Sequence, residues 1–316
     1  KENERYFYYG AKDGNLNYYF IYGPQVKQVL AGYAYLTGTT PLPQRWALGY
    51  QQSRHSYDSW QRVMEVAKTF RAKQIPCDVI HLDIEYMDDY RVFTWNQERF
   101  ADFEAGVAKL KEMGFKVVTI IDPGVKKEKG YAVYDEGLIN GYYLKDKDGI
   151  PYVNRVWPGD AVYPDFSADR VRRWWGEKHR ILTEQGVDGI WNDMNEPASF
   201  DGPIPDDVTF ENDGYPSTHA ELHNVYGHLM SKATYNGLKA LTGKRPFVIT
   251  RACFAGSQKY ATVWTGDNCS HWEHLRMAVP MLLNLGLSGI TFCGTDVGGF
   301  SYDCNGELMA RWIQLG

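Results

Sequence analysis

The sequence predicts an α/β fold, a (β/α)8 TIM barrel that stops short of its last strand. Three observations carry that prediction. Short apolar segments alternate with amphipathic helical segments along most of the 316 residues, the pattern of strand–helix–strand units around a parallel sheet. The apolar segments are continuous rather than alternating with polar residues, which implies burial on both faces. Nearly all of them end on a polar or charged residue, Asp83, Asp122, Asp193, Arg251, Asp267 or Asp296, as strands do when their C-terminal ends converge on one rim.

The first forty or so residues read as strands. "RYFYYG" and "NYYFIYG" alternate aromatic residues around a turn at Asp13-Gly14, a hairpin signal. Residues 1–42 are therefore assigned to the edge of an N-terminal β-sandwich and its linker, with the boundary at Pro41 and Pro43, which deny a ladder two donors. Residues 43–316 are assigned to the barrel, with insertions after strands 3 and 4. Its seven strand candidates are "RWALGY", "CDVIHLD", "KVVTIID", "VDGIWND", "RPFVITR", "ATVWTGD" and "SGITFCGTD". A helix follows the first from about Asp58, where Asp58 and Gln61 have capping-box spacing. Another ends at Gly114, and a third runs from about Asp169 to Gln185 before Gly186. An eighth strand is not visible, and the sequence stops in what reads as a helix. With no initiator Met, it reads as part of a longer chain.

The net charge of -5 arises from interspersed residues of both signs, with no basic run to follow a phosphate backbone, which excludes nucleic acid as a partner. No apolar run is long enough to cross a membrane. Five cysteines lie in no CxxC pair, which argues against a disulfide framework and favours a reducing compartment, hence the cytoplasm. The composition leaves room for a homo-oligomer. Aromatic residues make up 15% of the chain, a supply that serves either a large core or a cleft that stacks on sugars.

Carboxylates gathered at a rim suit metal binding, acid–base catalysis or the binding of hydroxyls. His219 and His223 in "HAELH" are one helical turn apart but lack the Glu of a zinc-protease helix, and Thr218 with Glu221 reads as a capping box, so no metal is expected. "GLKALTGKR" fails the spacing of a phosphate-binding loop, and no cofactor is implied. Asp193 and Asp267 remain as the strongest pair. Asp267 is not needed as a helix cap, because Ser270 and Glu273 have the spacing to supply one. Asp193 is open to a second reading, as half of a buried ion pair with Arg251, and the residues alone leave the two evenly weighted.

"DGIWNDMNEPASF", "VIHLDIEYM", "VWPGDAVYPDFS", "TRACFAGSQKYATVWTGDN" and "GTDVGGF" resemble successive motifs of glycoside hydrolase family 31, the α-glucosidase family, in order and approximate spacing. The resemblance covers residues 20 to 316. It implies a retaining enzyme acting on an α-glucoside oligosaccharide, with Asp193 as nucleophile and Asp267 as general acid/base, in agreement with the two carboxylates that such chemistry requires. By the same resemblance Asp83, Ile84, Arg251, Asp296, Trp157, Trp191, Met194, Trp264 and Phe300 line the sugar site. Glu196 and Asn195 are expected to support the loop behind the nucleophile. The sequence departs from the family where "QSRHSY" places His55 at a position often aromatic, near the leaving-group subsite, which bears on α-1,4 against α-1,6 preference. The family's His after the last motif, and a binding carboxylate from its N-terminal sandwich, fall outside this sequence.

Overall fold

A computed structural model describes residues 8–11 and 13–316. Seven strands form one parallel sheet in sequence order: β1 (Gln51–Gln52), β2 (Val79–Leu82), β3 (Lys116–Ile121), β4 (Gly189–Asn192), β5 (Val248–Thr250), β6 (Thr262–Trp264) and β7 (Cys293–Gly294). Each pairs with its sequence neighbour, as in Val118↔Gly189 and Ile121↔Asn192 between β3 and β4. The sheet is curled. Ala47, Val79, Val118 and Phe247 form one buried cluster, joined by Trp46, Trp191, Ile249 and Phe292, so side chains from β2 and from the approach to β7 share one interior. In a flat sheet strands that far apart would stand more than 20 Å from each other at roughly 4.8 Å per strand. The fold is thus a parallel barrel without its last strand.

Helices cover the outside. α2 (Trp60–Ala72) follows β1, α3 (Phe103–Glu112) follows β2, α4 (Asp169–Lys178) follows β3, α5 (Tyr226–Thr242) follows β4, α6 (Trp272–Leu287) follows β6 and α7 (Gly306–Leu315) follows β7. α1 (Val26–Thr37) precedes the barrel. α4 and α5 cross at a pair of glycines, where a Cβ on Gly176 would lie 2.9 Å from the Gly237 Cα. The insertion after β3 carries a small antiparallel sheet of Val125–Lys126, Gly159–Val162 and Val153–Val156, and the insertion after β4 a short ladder of Thr209–Phe210 with Ser217–Thr218.

Four local expectations differ from the structure. The described residues between Tyr8 and Gln25 form no strand, and the next twelve form α1. Val26, Val29, Leu30, Tyr33 and Thr37 recur at helical spacing, while the alternating aromatics before them, among them Tyr18, Tyr19 and Phe20, are exposed, with no second layer here to bury them. Lys1–Phe7, the first part of the expected hairpin, lie outside the described residues. The first barrel strand is not "RWALGY" but the two residues after it, because Arg45–Leu48 turn as a 3-10 helix that pushes Ala47 and Trp46 into the barrel interior from below. The cap of α2 is Ser59, whose Oγ accepts from the Arg62 amide at 3.3 Å, one residue later than Asp58. Ser270 does not cap α6. Its hydroxyl donates to the Gly298 carbonyl at 2.7 Å instead, and His271 begins that helix without a side-chain cap.

Candidate active site

A β-strand sends alternate side chains to opposite faces, and this decides which polar residues meet. On β2, Val79 faces the interior cluster, so His81 and Asp83 share its side. Val118 fixes the same parity for Ile120 and Asp122 beyond β3, and Phe247 with Ile249 fixes it for Arg251 beyond β5. Trp191 in the interior places Asp193 above it. Asn192 takes the other side, where its amide donates to Thr234 Oγ1 of α5 at 3.2 Å. Of the polar residues in "WNDMNE", Asn192 is therefore anchored outward and Asp193 is aimed into the mouth of the barrel.

Arg251 ties the mouth together. Its Nε donates to Glu196 Oε1 at 2.7 Å and its Nη2 to Glu196 Oε2 at 3.1 Å and to Met194 Sδ at 3.1 Å. The same guanidinium lies 3.3 Å from Asp193 Oδ1 and donates from Nη1 to Asp267 Oδ2 at 3.5 Å. Burial works against the charge of Arg251, but the Glu196 hydrogen bonds and the charges of Asp193, Glu196 and Asp267 outweigh it and raise its pKa further. The ion pair that sequence reasoning offers as an alternative for Asp193 is thus present, and it also reaches Asp267. Asn195 is fully buried and supports this arrangement from behind. Its amide donates to Thr250 Oγ1 at 2.9 Å, and its Oδ1 accepts from the Ala252 amide at 3.2 Å, so it grips the residues on either side of Arg251.

Four carboxyl groups of the mouth are displaced upward, in each case chiefly by burial: Asp122, which is held well above the usual range, and three more. Asp193 is pushed up to about 6, with Arg251 pulling it back. Asp296 is pushed up to about 7 by burial and by Asp267 and Asp193. Asp83 is pushed up to about 8 although its Oδ1 accepts from the Ile84 amide at 2.7 Å, because Glu85, Asp193 and Asp267 add to the burial. Asp193 therefore ionises before the other two. Asp267 is different in exposure: its side chain is 49% accessible in the open site.

The walls are aromatic. Trp191 meets Trp264 edge-on at 5.7 Å and His81 at 6.0 Å. His81 is buried, held neutral with its pKa lowered to about 4, and its Nε2 lies 2.8 Å from Gln51 Oε1. At the rim, His55 lies 5.6 Å from Trp157 and 6.2 Å from Phe300. Ile84, next to Asp83, is buried. Trp157 sits on the turn between Val153–Val156 and Gly159–Val162, and Phe200 meets it edge-on at 5.1 Å. Phe300 is placed by backbone contact: Gly299, at φ +89°, lies so close to Ser270 that a Cβ there would be 2.5 Å from the Ser270 amide nitrogen.

The mouth of the barrel thus brings together all the site residues read from the sequence. It adds Asp122, Glu85, Tyr90 and Phe200. Asp122 stands among the strand ends and carries the same parity signal as Asp193. Glu85 approaches His55, Oε1 to Nε2, at 3.6 Å, and one atom each of His55, Asp83 and Glu85 lies within 4.8 Å of the others. Tyr90 and Phe200 reach Trp157 from separate loops, which no local sequence signal reports. The His219–His223 pair lies elsewhere: the rings touch, Nε2 to Nδ1, at 3.0 Å, His219 stacks on Phe210, and Thr218 with Glu221 forms the expected capping box. Asn268, in the sequence's one Asn-x-Ser/Thr triplet, Asn268-Cys269-Ser270, is buried and its amide donates to Thr265 Oγ1 at 3.1 Å.

Residues 40–316 match the family model for the glycosyl hydrolases family 31 TIM-barrel domain. The chain belongs to glycoside hydrolase family 31. Among its relatives, Alpha-glucosidase 2 of Bacillus thermoamyloliquefaciens is 54% identical over 98% of this chain and 40% of the relative. The solved structure of a glucosidase II alpha subunit, described as alpha3-Glc2-bound, superposes with a TM-score of 0.89 at 39% identity, over 93% of this chain and 33% of that one. The family 31 alpha-glucosidase of Bacteroides thetaiotaomicron gives 0.82 at 45% identity, over 92% and 48%. The chain therefore spans less than half the length of these three proteins. No helix among its described residues is long and apolar enough to cross a membrane.

Proposed function

We propose that this chain is the barrel of a retaining, exo-acting α-glucosidase that removes terminal α-linked glucose from oligosaccharides. The observation that carries the reading is the single guanidinium of Arg251 against both Asp193 and Asp267, one side chain 13% accessible and the other 49%. Asp193, which ionises before Asp296 and Asp83, attacks the anomeric carbon. Asp267 gives its proton to the departing oxygen and takes one back from the water that hydrolyses the glycosyl–Asp193 ester. Asp83 and Asp296 accept hydrogen bonds from the hydroxyls of the terminal glucose, and Trp191, Trp264, Trp157, Met194, Ile84 and Phe300 bound the ring. The alpha-glucosidase names of the relatives support the glucose assignment.

His55 stands where a second sugar would leave the pocket, beside Trp157 and Phe300, and bears on the linkage accepted. Residues 1–42 belong in this reading to the edge and linker of a preceding β-sandwich. The five free cysteines support a cytoplasmic setting.

The test uses the full-length enzyme with maltose, isomaltose and an aryl α-xyloside, following the first-formed sugar by NMR. Release of α-glucose is the expected result. First release of β-glucose would overturn the retaining mechanism, and cleavage of the xyloside alone would make the enzyme an α-xylosidase. Transfer of glucose to a second sugar in preference to water would mark a transglucosylase, and absence of turnover would leave a sugar-binding module.

A further inference from the structure

We propose that Asp122 is a positioning residue for the nucleophile: a neutral carboxylic acid whose O–H donates to the Asp193 carboxylate and fixes the oxygen that does not attack. The inference rests on Asp193 being the nucleophile. Its starting point is two orphaned atoms. Asp122 Oδ1 and Asp193 Oδ1 are both buried without a hydrogen-bond partner, the latter 3.3 Å from Arg251 Nε without completing a bond to it. The two residues follow the paired positions Ile121 and Asn192 on adjacent strands, with the Asp193 amide 3.4 Å from the Ile121 carbonyl, and parity sends both side chains inward. Buried polar atoms are rarely left unpaired, and one proton between two neighbouring carboxyl groups satisfies both.

The surroundings decide which residue holds the proton. The groups facing Asp122 are Asp193, Asp83 and Glu196, all acidic, the phenols of Tyr86 and Tyr163, and Arg251. Arg251 spends its contacts on Glu196, Met194, Asp193 and Asp267, and forms no ion pair with Asp122 among the described residues. The cation thus favours the anion on Asp193 and leaves Asp122 the acid. Burial first, then Asp193 and Asp83, hold the Asp122 carboxyl well above the usual range, with Arg251 giving partial relief. The proton stays on Asp122 through both displacements. As the bond from Asp193 to the anomeric carbon forms and the glycosidic bond breaks, the leaving oxygen takes the Asp267 proton; water later returns one to Asp267. Asp122 donates to the carboxylate before the ester forms and to the ester carbonyl after it.

Asp122→Asn keeps a neutral donor of the same shape, and Asp122→Leu keeps the branching at Cγ without a donor. In the full-length enzyme, kcat and KM for an aryl α-glucoside and the acidic limb of kcat/KM are measured for both. Asp122→Leu is expected to lower kcat by roughly a hundredfold with KM changed by less than about threefold. Asp122→Asn should recover at least about tenfold of that loss and keep the acidic limb where the parent has it. An acidic limb displaced downward by about a full pH unit in Asp122→Asn would show that an ionised neighbour had been removed, and would overturn the proposal; so would a parental kcat in Asp122→Leu. Should Asp122→Leu not fold, the limb of Asp122→Asn decides alone. Labelling the parent with 5-fluoro-α-glucosyl fluoride and mapping the peptide separates the two ideas: a label on Asp193 with a displaced limb sinks only the role of Asp122, whereas a label elsewhere sinks the nucleophile assignment itself.

Discussion

Asn195→Ala tests whether the loop behind Asp193 is a brace. The side chain is fully buried and closes three contacts: donation to Thr250 Oγ1 at 2.9 Å, donation to the Gly227 carbonyl at 3.5 Å, and acceptance from the Ala252 amide at 3.2 Å. Truncation leaves the Ala252 N–H without an acceptor, which costs about 1–3 kcal/mol. The void left by the lost amide adds about 1 kcal/mol. A total loss near 3 kcal/mol is expected, a large share of the stability of an ordinary domain. Thr250 Oγ1 retains its own donation to the Ala252 carbonyl at 2.9 Å, so the strand end is loosened rather than released.

The kinetic consequence follows from position. Thr250 and Ala252 flank Arg251 in sequence, and Arg251 holds Asp193, Glu196 and Asp267 in one frame. A shift of about 1 Å in reacting groups costs on the order of a hundredfold in rate. Asn195→Ala should therefore lose kcat by one to two orders of magnitude as well as melt earlier, measured by aryl α-glucoside turnover and by thermal unfolding of the same preparation. A variant that melts early but turns over at the parental rate would show that Asn195 stabilises the fold without positioning the catalytic groups. Parental melting and parental kcat together would refute the hydrogen-bond reasoning altogether.

Three further outcomes are expected. The acidic limb of kcat/KM should lie near pH 6, the value to which burial lifts Asp193, with activity falling about tenfold per unit below it; a limb at pH 4 would show Asp193 to be an ordinary exposed acid. In the absence of sugar, Tm should fall as pH rises from 5 to 8: Asp83 at about 8 and Asp296 at about 7 bind protons in the folded state that the unfolded chain has released, so their contribution is lost as pH passes through those folded values. Asp83→Asn should flatten that slope, and a Tm that rises over the same range would contradict it. Asp193→Asn should abolish turnover while Glu196→Gln retains part of it, since Gln keeps one acceptor for Arg251; the reverse result would exchange the roles of the two residues.

The parts of the fold legible in sequence are those dictated by local chemistry. Continuous apolar segments ending on charge located strands β2 to β7, and Gly114 and Gly186, both at positive φ, follow α3 and a short helix Arg180–Glu184 ahead of β3 and β4; the single helix expected from Asp169 to Gln185 is broken at His179. The first strand was not legible, because two glutamines carry no burial signal; they pair with Val79 and Ile80 only once the interior has formed beside them. The N-terminal aromatics show the converse failure. Their alternation is a true strand signal, but a strand needs a layer to pack against, and here those side chains are exposed. Ser270 had cap spacing and lost its hydroxyl to the Gly298 carbonyl, a partner 28 residues away that no local rule can weigh.

The candidate site shows the same division more sharply. Strand parity alone separates Asn192 from Asp193 and puts Asp83, Asp122, Asp193 and Arg251 on one side, so the charged floor of the pocket is a local property of four strands. The aromatic rim is not: His55, Tyr90, Trp157, Phe200 and Phe300 come from five separate loops and meet only in three dimensions. In the proposed reading, chemistry and specificity are thereby held by different kinds of structure. Substituting a rim residue such as His55→Tyr should change the relative kcat/KM for maltose and isomaltose while leaving the pH of the acidic limb in place, because the groups that set that limb are held by strand ends and by Arg251. If His55→Tyr instead moved the limb by more than about half a unit, floor and rim would be electrostatically coupled through Glu85, which lies 3.6 Å from His55 and acts on Asp83.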